Sequence, residues 1–154
     1  MAAEDDVGSK SQDLRQRTRR LHSRSANALA RSAQLQRRAA ALFILIVEDH
    51  HDTAEALRKL LVTEGHQAMV AETVSDARRL CRTVPFSRLL CDIGLPDGSG
   101  LDLVRDVKRQ LPDIRAVALS GYAMRQDVDD AMRAGFDAHL SKPVKMADLL
   151  STLA

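Results

Sequence analysis

Cysteine is scarce: the 154-residue chain has two, Cys81 and Cys91. One disulfide is the most they could form, and a chain of this length buries close to about 70% of its extended surface without a staple. Both therefore read as reduced thiols, and a cytoplasmic location is expected. Long apolar runs are missing as well. The longest, 39–47, has nine residues, far below the roughly 20 that a membrane span requires. The N-terminus, Met1-Ala2-Ala3-Glu4-Asp5-Asp6, lacks the basic-then-apolar order of a secretory leader, so export is not expected. Net charge is nearly absent too, at +2, in a chain that is 45% hydrophobic and 29% charged. That balance suits one globular domain with a short appendage.

The small total conceals two opposed parts. Residues 1–41 carry nine Lys and Arg against four acids, whereas residues 42–154 carry fourteen against seventeen. The stretch 14–41 holds eight arginines and no acid, glycine or proline, so nothing in it interrupts a helix. It also repeats every seven residues. Leu14, Leu21, Ala28, Leu35 and Leu42 fall in one register, Arg17, Arg24, Arg31 and Arg38 in a second, and Thr18, Ser25, Ser32 and Ala39 in a third. This is a helix with a narrow seam of leucine and small residues beside an arginine row, the pattern of a coiled coil. The small residues bury little, so a weak homodimer through 14–41 is expected. With no acid in the segment to pair with, salt should screen repulsion and strengthen association. A solvated helix is the plainer reading, because isolated helices are marginal in water. Nucleic acid is not an expected partner, since the apolar face lacks aromatics. Residues 1–13 are expected to be disordered, 14–41 a helical extension or linker, and 42–154 the folded domain.

At Phe43 the character changes. Phe43-Ile44-Leu45-Ile46-Val47 is a continuous apolar run ending in acid, which suits a strand buried on both faces of a parallel sheet. Asp52 and Glu55 read as the N-cap and third-position partner of a helix that Gly65 stops. The alternation then recurs, with strands expected at 67–71, 87–91, 116–119 and 138–140. Helices are expected at 74–82, 100–110, 124–134 and 146–153. All four prolines, Pro85, Pro96, Pro112 and Pro143, fall in connections. Five strand-helix units predict an α/β fold, a doubly wound five-stranded parallel sheet preceded by the N-terminal helical extension.

Ligands in such sheets bind beyond the carboxyl ends of the strands. The first strand ends in Glu48-Asp49, the third in Asp92, the fourth in Ser120, and the fifth leads into Lys142-Pro143. Carboxylates brought this close repel unless a cation sits among them. A hard divalent ion is implied, and Mg²⁺ fits best because it takes one or two carboxylates and a phosphate oxygen. Other residues read as ordinary structure. Adjacent His50 and His51 between Asp49 and Asp52 suggest a transition-metal cluster, yet neighbouring loop histidines seldom reach one ion. Cys91 points to the opposite strand face from Asp92 and reads as core. Ser99 before Gly100 reads as a helix cap.

Taken together, Glu48-Asp49 after an apolar strand, Asp92 in Cys-Asp-Ile-Gly-Leu-Pro-Asp-Gly-Ser-Gly, Ser120 in Ala-Leu-Ser-Gly-Tyr and Lys142 before Pro143 resemble the CheY-like receiver domain of two-component response regulators. The resemblance covers 42–154 and implies a flavodoxin-like sheet of order 2-1-3-4-5. It also implies roles. Asp92 would be the phosphoacceptor, a carboxylate nucleophile toward a phosphohistidine or a small phosphodonor. Asp49, with Glu48 through a water, Asp92 and the backbone carbonyl of Gly94 would hold Mg²⁺. Lys142 would neutralise a phosphoryl oxygen and Ser120 would bond another. Three places before Lys142 the family commonly has an aromatic; here it is His139, a pH-sensitive group, and with Ser120 and Tyr122 it forms the candidate switch.

The expected function is a single-domain response regulator that takes a phosphoryl group from a histidine kinase or histidine phosphotransfer protein and signals through a downstream protein partner. It is a phosphoacceptor rather than an enzyme. No effector domain is expected after Ala154. An alternative is the receiver module of, or for, a hybrid histidine kinase phosphorelay. An aspartyl-nucleophile phosphatase comes third, because it needs a second Asp where Gly94 stands.

Overall fold

The computed structural model describes residues 5–39, 41–121 and 124–154, with side chains of the first helix described at 15–33 and 35. The chain forms two units, Met1–Ala40 and Ala41–Ala154. The first is a single helix, α1 (Asp5–Ala39). It begins inside the stretch 1–13, where the sequence predicts disorder. That stretch has no proline, and its single glycine, Gly8, costs about 1 kcal/mol, which a helix already nucleated tolerates. Leu21, Leu29 and Leu35 are 65%, 70% and 66% exposed. Leu42, expected to close the leucine register, lies beyond the helix and packs on the core of the second unit.

The second unit alternates strand and helix: β1 (Phe43–Val47), α2 (His51–Thr63), β2 (Gln67–Ala71), α3 (Val74–Cys81), β3 (Arg88–Asp92), α4 (Gly100–Gln110), β6 (Arg115–Ser120), α5 (Arg125–Ala134), β7 (Ala138–Ser141) and α6 (Met146–Leu153). Two short strands, β4 (Gly94–Leu95) and β5 (Gly98–Ser99), form an antiparallel ribbon between β3 and α4; neither is among the strands expected from the sequence. The main sheet runs β2-β1-β3-β6-β7, parallel throughout. Counting only its own strands, this is the 2-1-3-4-5 order.

Period-two alternation builds the core. Ile44 and Ile46 face one side of the sheet with Leu90, Val117 and Leu119, against Leu61 of α2 and Leu149 and Leu153 of α6. Leu45 and Val47 face the other side with Leu89, Cys91, Ala116 and Ala118, against α3, α4 and α5. Each fully buried Leu or Ile contributes about 1.5–3 kcal/mol. Cys91 is 0% exposed, and burial raises its thiol pKa, so it is inert core as the sequence indicates.

The helix ends show why some boundaries differ from expectation. Helix α2 starts on His50 with no side-chain cap, Asp52 lies in its first turn, and Glu55 instead accepts two bonds from Arg58 Nε, at 2.9 and 3.1 Å. A three-residue ion pair has displaced the capping box. Gly65 at φ 93° terminates the helix, a conformation L side chains avoid. Helix α4 is capped as predicted, Ser99 Oγ accepting from the Leu101 N–H at 3.1 Å. The short α6 is secured from the sheet: Arg88 Nε donates to the Leu153 carbonyl at 2.7 Å and Arg115 Nε to the Thr152 carbonyl at 2.9 Å. Two guanidinium groups thus satisfy carbonyls that a helix terminus leaves without partners.

Candidate functional site

The strand order reverses between β1 and β3, the chain winding from β1 outward to β2 and from β3 the other way to β6 and β7, so the loops after β1 and β3 diverge and leave a cleft. In register, Val47 faces Cys91 and Asp92 faces Leu119. The residues that continue or end these strands, Glu48, Asp49, Asp92 and Ser120, therefore gather at one rim. Lys142 follows β7 and reaches across it. Its Nζ donates to Glu48 Oε2 at 2.5 Å and to Asp92 Oδ2 at 2.6 Å. Burial disfavours the ammonium, yet its hydrogen bonds to Asp92 and Glu48, and their charges, hold the Lys142 pKa above the ordinary lysine value.

The three carboxylates differ in what already occupies them. Glu48 is 0% exposed, with one oxygen on Lys142 and the other accepting the His50 N–H at 3.1 Å. Asp92 has Oδ1 on the Gly94 N–H at 3.0 Å and Oδ2 on Lys142. Asp49 is more open; among the described residues nothing donates a hydrogen bond to it, and its recorded neighbour is His50 Nδ1 at 3.8 Å. Ligand atoms of Glu48, Asp49 and His50 lie within 4.8 Å of one another. The cluster is two carboxylates and an imidazole, without Asp92; its oxygen donors, Glu48 and the open Asp49, fit a hard, oxygen-liganded cation such as Mg²⁺. The two histidines diverge as the sequence suggests: His50 stays beside Glu48 and Asp49, while His51 Nδ1 pairs with Glu72 Oε1 at 2.8 Å. That hydrogen bond, with the Glu72 charge, raises the His51 pKa above 6.5.

Ser120 lies at the end of β6 and His139 one strand over. Their side chains meet at Ser120 Oγ···His139 Nε2, 2.8 Å. Burial lowers the His139 pKa below 6.5, against the opposing pull of Asp127. Tyr122, the third expected switch residue, lies outside the described residues.

Two supports are not legible from the sequence. Asp97 reaches from the β4–β5 turn to the start of α3, accepting the Val74 N–H at 2.8 Å and the Ser75 N–H at 3.0 Å; these bonds, the Val74 one first, depress its pKa. The partner is over twenty residues away, so no local spacing signals it. Gly100 has no room for a side chain: a Cβ there would sit 2.4 Å from the Asp92 carbonyl oxygen. Helix α4 thus starts against the backbone of Asp92. Beside Lys142, an apolar groove of about 620 Å³ runs between α2 and the residues after β7, lined by Ala56, Leu57, Leu60, Pro143 and Val144 among others.

Comparison with known proteins agrees with this geometry. The family model described as "Response regulator receiver domain" matches residues 44–154. An uncharacterized 14.6 kDa protein of Leptolyngbya boryana is 36% identical over 110 residues, covering 70% of this chain and 83% of that protein. The photosynthetic apparatus regulatory protein RegA of Rhodovulum sulfidophilum is 31% identical over 110 residues, covering 71% and 60%. Among solved structures, a CheY-like receiver domain protein from Methanospirillum hungatei superposes with TM-score 0.70 at 29% identity, covering 73% of this chain and 90% of that one. A Burkholderia pseudomallei response regulator with a phosphorylated aspartic acid and a calcium ion gives TM-score 0.70 at 27%, covering 73% and 66%. The receiver domain of a Pseudomonas aeruginosa sensor histidine kinase, with magnesium in its active-site cleft, gives 0.67 at 25%, covering 73% and 94%.

Proposed function

This chain belongs to the response regulator receiver domain family, and from that membership we propose that it is a response-regulator receiver, phosphorylated on Asp92 by a histidine kinase or histidine phosphotransfer protein. The observation that carries the reading is the Lys142 ammonium shared between Glu48 and Asp92 at 2.5 and 2.6 Å. It holds in reserve a positive charge that a phosphoryl group on Asp92 can recruit. The chain acts as a phosphoacceptor in two-component signalling rather than as a conventional enzyme. No described helix is long and apolar enough to cross a membrane, and we place its action in the cytoplasm.

An Asp92 carboxylate oxygen attacks the phosphorus of a phosphohistidine. The new O–P bond forms as the N–P bond breaks, and the imidazole nitrogen keeps the bonding pair. The Gly94 N–H orients Oδ1, while Lys142 turns from the carboxylate to a phosphoryl oxygen. The Ser120 hydroxyl donates to another. Asp49, Asp92, the Gly94 carbonyl and, through a water, Glu48 would hold Mg²⁺, which supplies further charge neutralisation when bound. The apolar groove beside Lys142 gives a donor helix a surface next to Asp92. Phosphorylation is then passed to a downstream protein partner. Helix α1, whose Leu21, Leu29 and Leu35 are exposed, supplies a weak homodimer contact through 14–41.

The same residues serve a receiver working for a hybrid histidine kinase. The likeness to a kinase-borne receiver favours keeping that second reading. The chain spans 60% of RegA and 83% of the Leptolyngbya boryana protein. The test is incubation with radiolabelled acetyl phosphate and Mg²⁺. Wild-type protein should take up acid-stable, base-labile label and Asp92→Asn none; equal labelling of the variant removes Asp92 from the mechanism.

A further inference from the structure

Of the two adjacent histidines that follow β1, His51 is accounted for, because its Nδ1 is taken by Glu72 Oε1 at 2.8 Å. His50 turns the other way. Its backbone N–H donates to Glu48 Oε1 at 3.1 Å, which fixes the residue over that carboxylate. The ring nitrogen Nδ1 then lies 3.7 Å from Glu48 Oε1 and 3.8 Å from Asp49 Oδ1. The pair does not share an ion, as the spacing predicts, but one member stays within reach of one.

Both separations are too long for a hydrogen bond, which closes at about 2.7–3.2 Å. They do suit atoms that ligate one ion. Ligand bonds of about 2.0–2.2 Å place neighbouring ligand atoms about 2.9 Å apart and opposed ones about 4.3 Å apart. The observed gaps fall between these limits, and ligand atoms of all three residues lie within 4.8 Å of one another. Lys142 sits on the other oxygen of Glu48, Oε2, so Oε1 is the one turned toward His50. Asp49 and His50 side chains are 34% and 80% exposed, which leaves this corner open to an ion arriving from solvent.

We propose that His50 is a ligand of the cation that Asp49 holds, and that its imidazole makes the cleft prefer a divalent first-row transition ion to Mg²⁺. This inference rests on Asp49 binding the cation of the phosphorylation site. Carboxylate and carbonyl oxygens suit Mg²⁺, which gains little from a nitrogen donor. An imidazole adds affinity for ions of the Co²⁺, Ni²⁺ and Zn²⁺ class. Asp49 serves either kind of ion, so the two compete for the cleft.

The experiment uses the full chain with Mn²⁺ as the probe. Pulsed EPR of the bound ion should show hyperfine coupling to a directly ligated ¹⁴N, retained in His51→Gln and absent in His50→Gln. The latter variant keeps the backbone N–H on Glu48 and offers an amide oxygen in place of the ring nitrogen. Displacement of bound Mn²⁺ by Mg²⁺ and by Co²⁺ then reads the preference. His50→Gln should lower the Co²⁺ affinity about tenfold or more and the Mg²⁺ affinity less than about twofold. Bound Mn²⁺ without nitrogen coupling in the wild type overturns the inference. So does coupling that survives in His50→Gln, or an equal loss for the two competing ions, and each of these leaves the functional reading standing. If Asp49→Asn binds Mn²⁺ as tightly as the wild type, Asp49 is not the metal ligand, and its place in the functional reading falls together with the inference.

Discussion

Replacing Lys142 by Met tests whether its ammonium is the cation that makes the carboxylate cluster tolerable. Glu48 is 0% exposed and its Oε2 lies 2.5 Å from Nζ. At an effective dielectric of about 20, each contact is worth several kcal/mol of Coulomb attraction, most of which repays desolvation. What the variant exposes is the orphaned Glu48 charge. Removing one partner of a buried ion pair costs about 3–5 kcal/mol. Lys142 is 26% exposed, so screening by water brings the expected loss to about 2–3 kcal/mol. In urea, with a slope of about 1.5 kcal/mol/M, the midpoint should fall by about 1.3–2 M. Glu48→Gln in the same chain should recover at least half of that loss, because no anion is then stranded. The raised Lys142 pKa fixes the pH sign. Its contribution is fully present below the unfolded lysine value and is lost as pH rises through the folded one. A loss below about 0.5 kcal/mol, or no recovery in the double variant, would refute the charge-balance argument.

Asp97→Ala should lower the melting temperature, because the first N–H groups of α3 lose their acceptor. The depressed Asp97 pKa makes its stabilisation present above the unfolded carboxylate value and lost as pH falls through the folded one; a melting temperature equal to wild type at neutral pH contradicts this. Gly100→Ala forces a Cβ to 2.4 Å from the Asp92 carbonyl oxygen and should cost about 1–3 kcal/mol or more in a urea titration, with impaired phosphorylation. Arg88→Ala should increase amide exchange in α6 more than elsewhere, since the Leu153 carbonyl at its end and the Ala154 oxygen just past it lose donors. Sedimentation of Leu21→Ser/Leu35→Ser against wild type should show wild-type self-association that grows with salt and vanishes in the variant; association that weakens with salt points to an acidic partner instead.

Strand identity and the location of the cleft were legible because apolar runs such as 43–47 and terminal acids such as Asp92 are local signals. Their alternation onto two core faces follows from period two alone. Helix starts were less legible. Asp52 and Glu55 have capping-box spacing, but Arg58 three residues on competes for Glu55, and a charged partner wins over a backbone N–H. That Glu48, Asp49, Asp92, Ser120 and Lys142 gather at one rim could be read from the strand ends. Their division of labour could not, since it depends on which oxygen Lys142 reaches. The pairing of Ser120 with His139 came only through the family resemblance, and the Asp97 bridge was hidden, because each joins segments whose separation only the folded sheet closes. Gly100 carried no signal beyond a turn, because its need is the nearness of another backbone.

The central claim is that Asp92 alone accepts the phosphoryl group. Borohydride reduces an acyl phosphate to an alcohol, so treating phosphorylated full-length protein with it converts the modified aspartate to homoserine. Peptide mass mapping should then find homoserine at position 92 and aspartate intact at 49 and 97. Homoserine at Asp49 or Asp97, or a phosphorylated protein with none at 92, contradicts the account.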